Sequence, residues 1–377
     1  GDAAAAGTLQ LALGTTVQEI TPTAVTLLAT NGDGDERTLP NDNVFAMIGR
    51  EAPLDFFRRS GIAISGDRHG RWWVTALLML LAMSFVYHWK KGGTWLGIHE
   101  WAREAGIFPF RLGDWWMSLG EPFTEPASLL GTFGYVAGDP GFWYSLAYCI
   151  IIIVFGFRRI RRRRTPYVTR QTVTLATVQV VPLFLLPYLI LPWLGFHGVF
   201  DAGVGKGIAD TFFPAVDYGS GREYWRAFGL ILAWPLFFWN VFTDQPLWGW
   251  LIVSFLQTFV LIPIIVRRWG KGAYCGWICS CGALAETLGD AHRHKMPHGP
   301  RWNQLNMIGQ IFLWLAFAIL AFRLLAWAQV PWVKDAYQAL LYGTPGSYTA
   351  MPWSYVWFVD LLWAGILGVA LYFHFSG

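Results

Sequence analysis

Charge is what this sequence has least of. Asp, Glu, Lys and Arg make up only 14% of its 377 residues, against 54% hydrophobic and 17% aromatic, and 23 residues are tryptophan. So few charges cannot cover an ordinary soluble surface, and several apolar runs reach the ~20 residues that cross a hydrocarbon core. The composition specifies a polytopic membrane protein. Cysteine is scarce too, and four in so long a chain exclude a disulfide-stapled scaffold. No charged segment leads into an early apolar run, so no signal peptide is read and the first 65 residues are soluble in character. There is no G-x-G-x-x-G turn of the kind that cradles dinucleotide phosphates. An initiator methionine is lacking and the chain stops on "YFHFSG" straight after an apolar helix, so both ends read as cut and the chain as a fragment.

What charge there is comes in blocks. The net charge is +4, with arginine concentrated in "RRIRRRR" (Arg158 to Arg164) beside a hydrophobic helix. Such a block can contact nucleic acid, but next to a membrane helix it reads as a cytoplasmic anchor, and no nucleic acid is expected as a partner. Apolar runs predict membrane helices near 72–89, 142–157, 171–194, 247–266, 305–326 and 353–375. A seventh apolar stretch, Ala227 to Phe242, is short and carries Pro235 and Asn240. The arginine block and the basic residues Arg267, Arg268, Lys271, Arg293, Lys295 and Arg301 belong on one side of the membrane, so an even number of crossings separates them. The stretch 227–242 is then re-entrant or interfacial. The expected fold is mainly α: a multi-pass helical bundle of about six transmembrane helices plus that segment, with both ends cytoplasmic. The long outer loops, 90–141 and 195–246, are rich in Trp, Phe, Gly and Pro and should pack as interfacial belts.

Residues 1–66 read as a small β-rich piece. "TLQLALGTTVQEITPTAVTLLATNGDGDERTLP" gives short strands with "NGDGDE" as a hairpin loop. "NVFAMIG" (Asn43 to Gly49) is a buried-strand candidate, and "APLDFFRRSGI" a short helix. Alone the piece is too small to bury a good core and reads as the tail of a larger domain.

Three of the four cysteines crowd into "KGAYCGWICSCGALAETLGD" (Lys271 to Asp290), just after an apolar run. Cys275 and Cys279 are spaced C-x3-C, Cys281 follows, and "GALAETLG" reads as a short helix closed by Gly289. A helix N-terminus favours thiolate, and soft thiolates suit iron–sulfur clusters, which usually take four. Zinc is the competing reading, because Cys275 and Cys279 with His294 and His298 approach a two-Cys, two-His spacing, although Pro297 interrupts the second pair. A structural or reactive thiol is the third. Cys149, in mid-helix, reads as apolar packing. His88, His197 and His374 lie near helix ends, where paired histidines can ligate haem, but show no convincing pairing. His292, His294 and His298 with Arg293 and Lys295 form a basic rim that either sets topology or guides an acidic redox partner. Asp360, in "YVWFVDLLWAG", and Asp244 are acids near membrane depth, and Asp360 is a candidate for a proton or ion path.

Two resemblances extend this. "LPNDNVFAMIGREAPLDFFRRSGIAI" resembles the late part of the pyridine-nucleotide domain of thioredoxin-reductase-like flavoproteins, which implies FAD and NAD(P) in an upstream domain. "RRWGKGAYCGWICSCGALAE" resembles the membrane iron–sulfur proteins of the NapH and NosR type, which carry C-x3-C-P motifs at cytoplasmic helix ends. That resemblance implies a cluster, 4Fe-4S in type, with Cys275 and Cys279 as motif ligands and Cys281 as an additional thiol. Ser280 stands where the family has proline, and no ferredoxin-type C-x2-C-x2-C-x3-C run follows. The last helix, "GVALYFHFSG", echoes "LIPIIVRRWGKGAYC", so a second cysteine motif is expected just beyond Gly377. The domains implied are a flavoprotein remnant, 1–66, and a transmembrane domain, 67–377, with a cytoplasmic cysteine loop at 267–304. Electrons would pass from NAD(P)H and flavin through iron–sulfur centres to a redox partner protein or a quinone-like acceptor in the bilayer or at its outer face. A redox or metal sensor and a transporter using Asp360 are the alternatives.

Overall fold

The structure, a computed structural model, describes residues 12–29, 36–44, 54–62, 70–92, 96–233, 237, 247–270, 272–292 and 306–341. The chain divides into two compact units, 1–64 and 65–377. In the first, β1 (Thr15–Ile20), β2 (Ala24–Ala29) and β3 (Glu36–Pro40) form an antiparallel sheet in the order β1-β2-β3. Thr and branched residues suit pleated strands, and the Thr21 hydroxyl closes the β1–β2 turn by accepting the Ala24 N–H at 3.0 Å. Strands β2 and β3 flank the "NGDGDE" segment in register, Leu28 opposite Glu36. A short helix, α1 (Leu54–Arg59), follows. The strand expected at 43–49 lies, beyond Val44, outside the described residues.

The second unit is helical. Four helices among the described residues are long and apolar enough to cross a membrane: α2 (Gly70–Lys90), α6 (Pro140–Arg163), α7 (Pro166–Phe196) and α9 (Trp248–Trp269). Their outward faces carry large apolar side chains such as Leu78, Ile153, Ile252 and Phe255, each about half or more exposed, as lipid contact requires. The long connections hold short helices: α3 (Ile98–Glu104), α4 (Leu112–Met117) and α5 (Leu129–Ala137) before α6, and α8 (Gly203–Phe212) after α7. Helix α7 contains Pro182, Pro187 and Pro192, and its turns widen to π geometry over Val181–Ile190, where Pro182 and Pro187 lack an N–H to give the ladder. Beyond α9 come α10 (Gly272–Trp277), α11 (280–292), α12 (Asn306–Trp327) and α13 (Pro331–Leu341). Only a shorter apolar stretch of α12, Leu313–Trp327, approaches spanning character. The helix expected at 353–375 lies outside the described residues, and four of the six expected spans are present among the described ones.

The start of the 227–242 stretch is not an α-helix of spanning length. Tyr224–Leu230 forms a tight 3-10 segment whose backbone follows the middle of α9: the Leu230 carbonyl accepts from Gln257 Nε2 at 2.9 Å. Next to it, the Ile231 carbonyl accepts from the Tyr274 hydroxyl at 2.8 Å.

The ends of the bundle are chemically distinct. Helices α6 and α7 meet at Arg164, in the left-handed region, with the Thr165 hydroxyl capping α7 through the Val168 N–H. The arginine block, the start of α7 and Arg267 and Arg268 at the end of α9 share this arginine-rich end. Towards the other end, aromatic side chains fill the core, with Phe142, Phe184 and Tyr188 in one cluster and Phe213, Tyr224 and Trp250 in another.

Candidate functional site

The thiols sit on one tight turn between α10 and α11. Cys279 is in extended conformation and caps α11, which starts at Ser280. The turn closes because Gly282 has no side chain: a Cβ there would lie 1.5 Å from the Cys275 carbonyl oxygen. Cys279 is buried, whereas Cys275 and Cys281 are exposed. A hydrogen bond from the Cys281 thiol lowers the Cys279 pKa to about 6; burial opposes this, and the N–H groups of Gly282 and Cys281 add to it. The same hydrogen bond to Cys279 raises the Cys281 thiol. Of the three, Cys279 is the sulfur that donors at a helix start most favour as thiolate.

Polar side chains from α6 and α7 fix this turn. Gln179 is fully buried; its Nε2 donates to the Ile278 carbonyl at 3.0 Å, and its Oε1 accepts from the Ser280 hydroxyl at 2.7 Å. The Tyr148 hydroxyl lies 2.9 Å from the Ser280 carbonyl and 3.1 Å from Gln179 Oε1. Cys279 is thus gripped through both of its chain neighbours. Further along, Gln171 Nε2 donates to the Gly276 carbonyl at 2.9 Å. Beneath these bonds, Ile152 and Leu175 pack against Ala283, Leu284 and Leu288 of α11.

The arginine block does more than mark topology. Arg159, only 8% exposed, donates to Thr172 Oγ1 at 2.8 Å, Gln171 Oε1 at 2.9 Å and Glu286 Oε2 at 2.5 Å. Arg162 and Arg163 both bind the Asp290 carboxylate. Burial alone would raise Asp290, but the hydrogen bonds from Arg163 and Arg162, with their charges, hold its carboxyl below the ordinary carboxylate value. This pairing explains one departure: α11 does not stop at Gly289 but widens to π geometry over Ala285–Gly289 and runs to His292, keeping Asp290 against α6.

Other expected residues are placed as follows. Cys149 is buried, its thiol 3.5 Å from the Gln179 carbonyl. His88 is buried in α2, and His197 ends α7 with Nδ1 at 2.8 Å from the Trp193 carbonyl. His294, His298, His374, Asp244 and Asp360 lie outside the described residues, as do Arg293 and Lys295. At the far end Asp139 caps α6 through the Gly141 N–H at 2.8 Å; burial raises its carboxyl, opposed by that bond and by Lys90 and His99.

The donor set fits an iron–sulfur cluster in type, since three soft thiols line one turn, and falls one ligand short in number. Among the described residues, no three Cys, His, Asp or Glu side chains converge as they would around a single ion; the thiols of a cubane instead ligate separate irons.

Residues 247–297, which contain all three thiols, match the family described as "4Fe-4S binding domain". That match supports an iron–sulfur cluster. The regulatory protein NosR of Stutzerimonas stutzeri is 36% identical over 62 residues, covering 16% of this chain and 8% of that protein. The regulatory protein NosR of Pseudomonas aeruginosa is 37% identical over 57 residues, covering 15% and 7% respectively. The matched stretch is thus less than a tenth of either relative's length. No solved structure matches the chain. With the four apolar helices, these similarities point to a bacterial membrane protein that carries an iron–sulfur domain.

Sequence reasoning found the thiols but missed Tyr148, Arg159, Gln171 and Gln179. A signal existed for the glutamines, because a polar side chain at membrane depth needs a partner.

Proposed function

We propose that this chain is the membrane core of an electron-transfer protein in which Cys275, Cys279 and Cys281 supply thiolates to an iron–sulfur cluster. The observation that carries this is the Gly282 turn, which brings the Cys275 backbone onto the start of α11 while Cys279 caps that helix. Bound there, a cluster would supply one-electron redox chemistry. The chain's own residues orient the thiols, exclude water from Cys279 and offer N–H donors to its sulfur.

The finer reading places the arginine-rich end in the cytoplasm of a bacterial inner membrane, both termini on that side, with the fourth ligand outside the described residues. Electrons would enter from NAD(P)H through an FAD domain of which residues 1–66 would be the C-terminal tail, and leave to a redox partner protein or a quinone-like acceptor. Neither the matched family's description nor the relatives' names mention flavin or nicotinamide, so this limb rests on the resemblance of the stretch Leu39 to Ile64 alone. Spectroscopy tests it: NADH or NADPH, added anaerobically to the full-length protein, should give an iron–sulfur paramagnetic signal, diminished in Cys275→Ser and Cys279→Ser. A signal raised by dithionite and not by either nucleotide would remove the flavin limb and leave the cluster.

A second reading, a redox-sensing regulator, is favoured by the relatives' names, both of which are regulatory proteins. It predicts the cluster without sustained nucleotide-driven turnover.

A further inference from the structure

The thiol turn is held by side chains that lie well inside the bundle. Arginines are costly in hydrocarbon and mark its edge. Tyr148 lies ten residues before Arg158 in α6, hence about 15 Å along the helix axis. Gln179 lies nine residues after Arg170 in α7, hence about 13 Å. Ile262, which packs on the cluster containing Cys279 and Tyr274, lies five residues before Arg267, about 8 Å. A hydrocarbon core ~30 Å thick reaches its midplane about 15 Å from the edge.

The opposite end of α11 is fixed at a different level. Asp290 is bound by Arg162 and Arg163, in the arginine block itself. Helix α11 therefore climbs from the level of Tyr148, where Ser280 is bound, to the level of the arginines. Its N-terminus, with Cys279 and Cys281, is its deep end, whereas Gly276, beside Cys275, is held by Gln171 one residue from Arg170. A buried Gln is tolerated in such a helix only when its amide is satisfied, and Gln179 spends both of its polar atoms on residues 278 and 280. Ser280 suits this arrangement: its hydroxyl makes a bond that a proline in its place could not.

We propose that the thiol turn is an intramembrane site, in which Gln179 and Tyr148 act as positioning residues that draw residues 278–280 between α6, α7 and α9 and hold Cys279 within the hydrocarbon layer. The group that the thiols hold depends on the iron–sulfur reading; their depth does not.

The test is thiol labelling of the full-length protein in sealed inside-out vesicles, stripped of iron with a chelator under anaerobic conditions. Two probes are compared, a charged methanethiosulfonate and an uncharged lipid-soluble maleimide, with the Cys279 peptide read by mass spectrometry. Arg161→Cys, exposed at the arginine-rich end, calibrates both reagents. Relative to that calibrant, the charged probe should label Cys279 roughly tenfold or more slowly than the lipid-soluble one, because an ion enters hydrocarbon at a large penalty. Gln179→Leu and, separately, the milder Tyr148→Phe should narrow the gap. Equal relative labelling of wild-type Cys279 by both probes would overturn the proposal, as would a gap unmoved by either substitution. Iron assayed before stripping tests the cluster reading independently, so the two failures are distinguishable.

Discussion

At the scale of single residues, the site depends on small contacts that sequence motifs do not display. Gly282 is the clearest. Any Cβ at this position meets the Cys275 carbonyl, and the turn must open to admit it. Gly282→Ala should therefore release Cys275 from α11 and destabilise the loop by about 1–3 kcal/mol, the usual range for overpacking. Iron content and melting temperature of the purified protein, measured together, check this: iron should fall further than stability. The cysteines lie within seven residues of one another, so their chemistry was legible in the sequence; the close approach at Gly282 was not. Tyr148 and Gln179 were not, because their partner Ser280 lies more than a hundred residues away and each looks like an incidental polar residue in an apolar run.

At the scale of elements, the structure turns on how α11 is tied to α6. The sequence shows the arginine block and predicts its side of the membrane from charge alone. It does not show that Glu286 and Asp290, six and ten residues into α11, answer those arginines. The carboxyl of Asp290 is held below its ordinary value of 3.8, so the stability it contributes is full above that value and is lost as pH falls below it. Asp290→Asn should flatten the acid limb of a melting-temperature profile recorded from pH 6 to pH 3. A limb as steep as the wild type's would show that other carboxylates dominate. The expected stop at Gly289 failed for the same reason: local signals favour termination after glycine, and the ion pairs of Asp290 carry the helix past it. The apolar stretches behind α2, α6, α7 and α9 were legible, because length and hydropathy suffice for spans. The 3-10 course of 224–230 was not, because it depends on Gln257 and Tyr274 for partners.

At the scale of the whole molecule, α7 and α9 are the two helices among the described residues long and apolar enough to cross between the arginine block and the thiol loop, and two crossings would return the chain to one side. Arg161→Cys and Arg268→Cys should both react with a charged thiol reagent in inside-out vesicles and resist it in right-side-out ones. Reaction of the two from opposite sides would break the pairing of α11 with α6 on which the site depends.

The most direct measurement is iron and acid-labile sulfide in the anaerobically purified full-length protein, beside Cys279→Ser. The account predicts iron and sulfide in near-equal amounts, with both reduced in the variant. Zinc without sulfide, or iron and sulfide unchanged by the substitution, would contradict it.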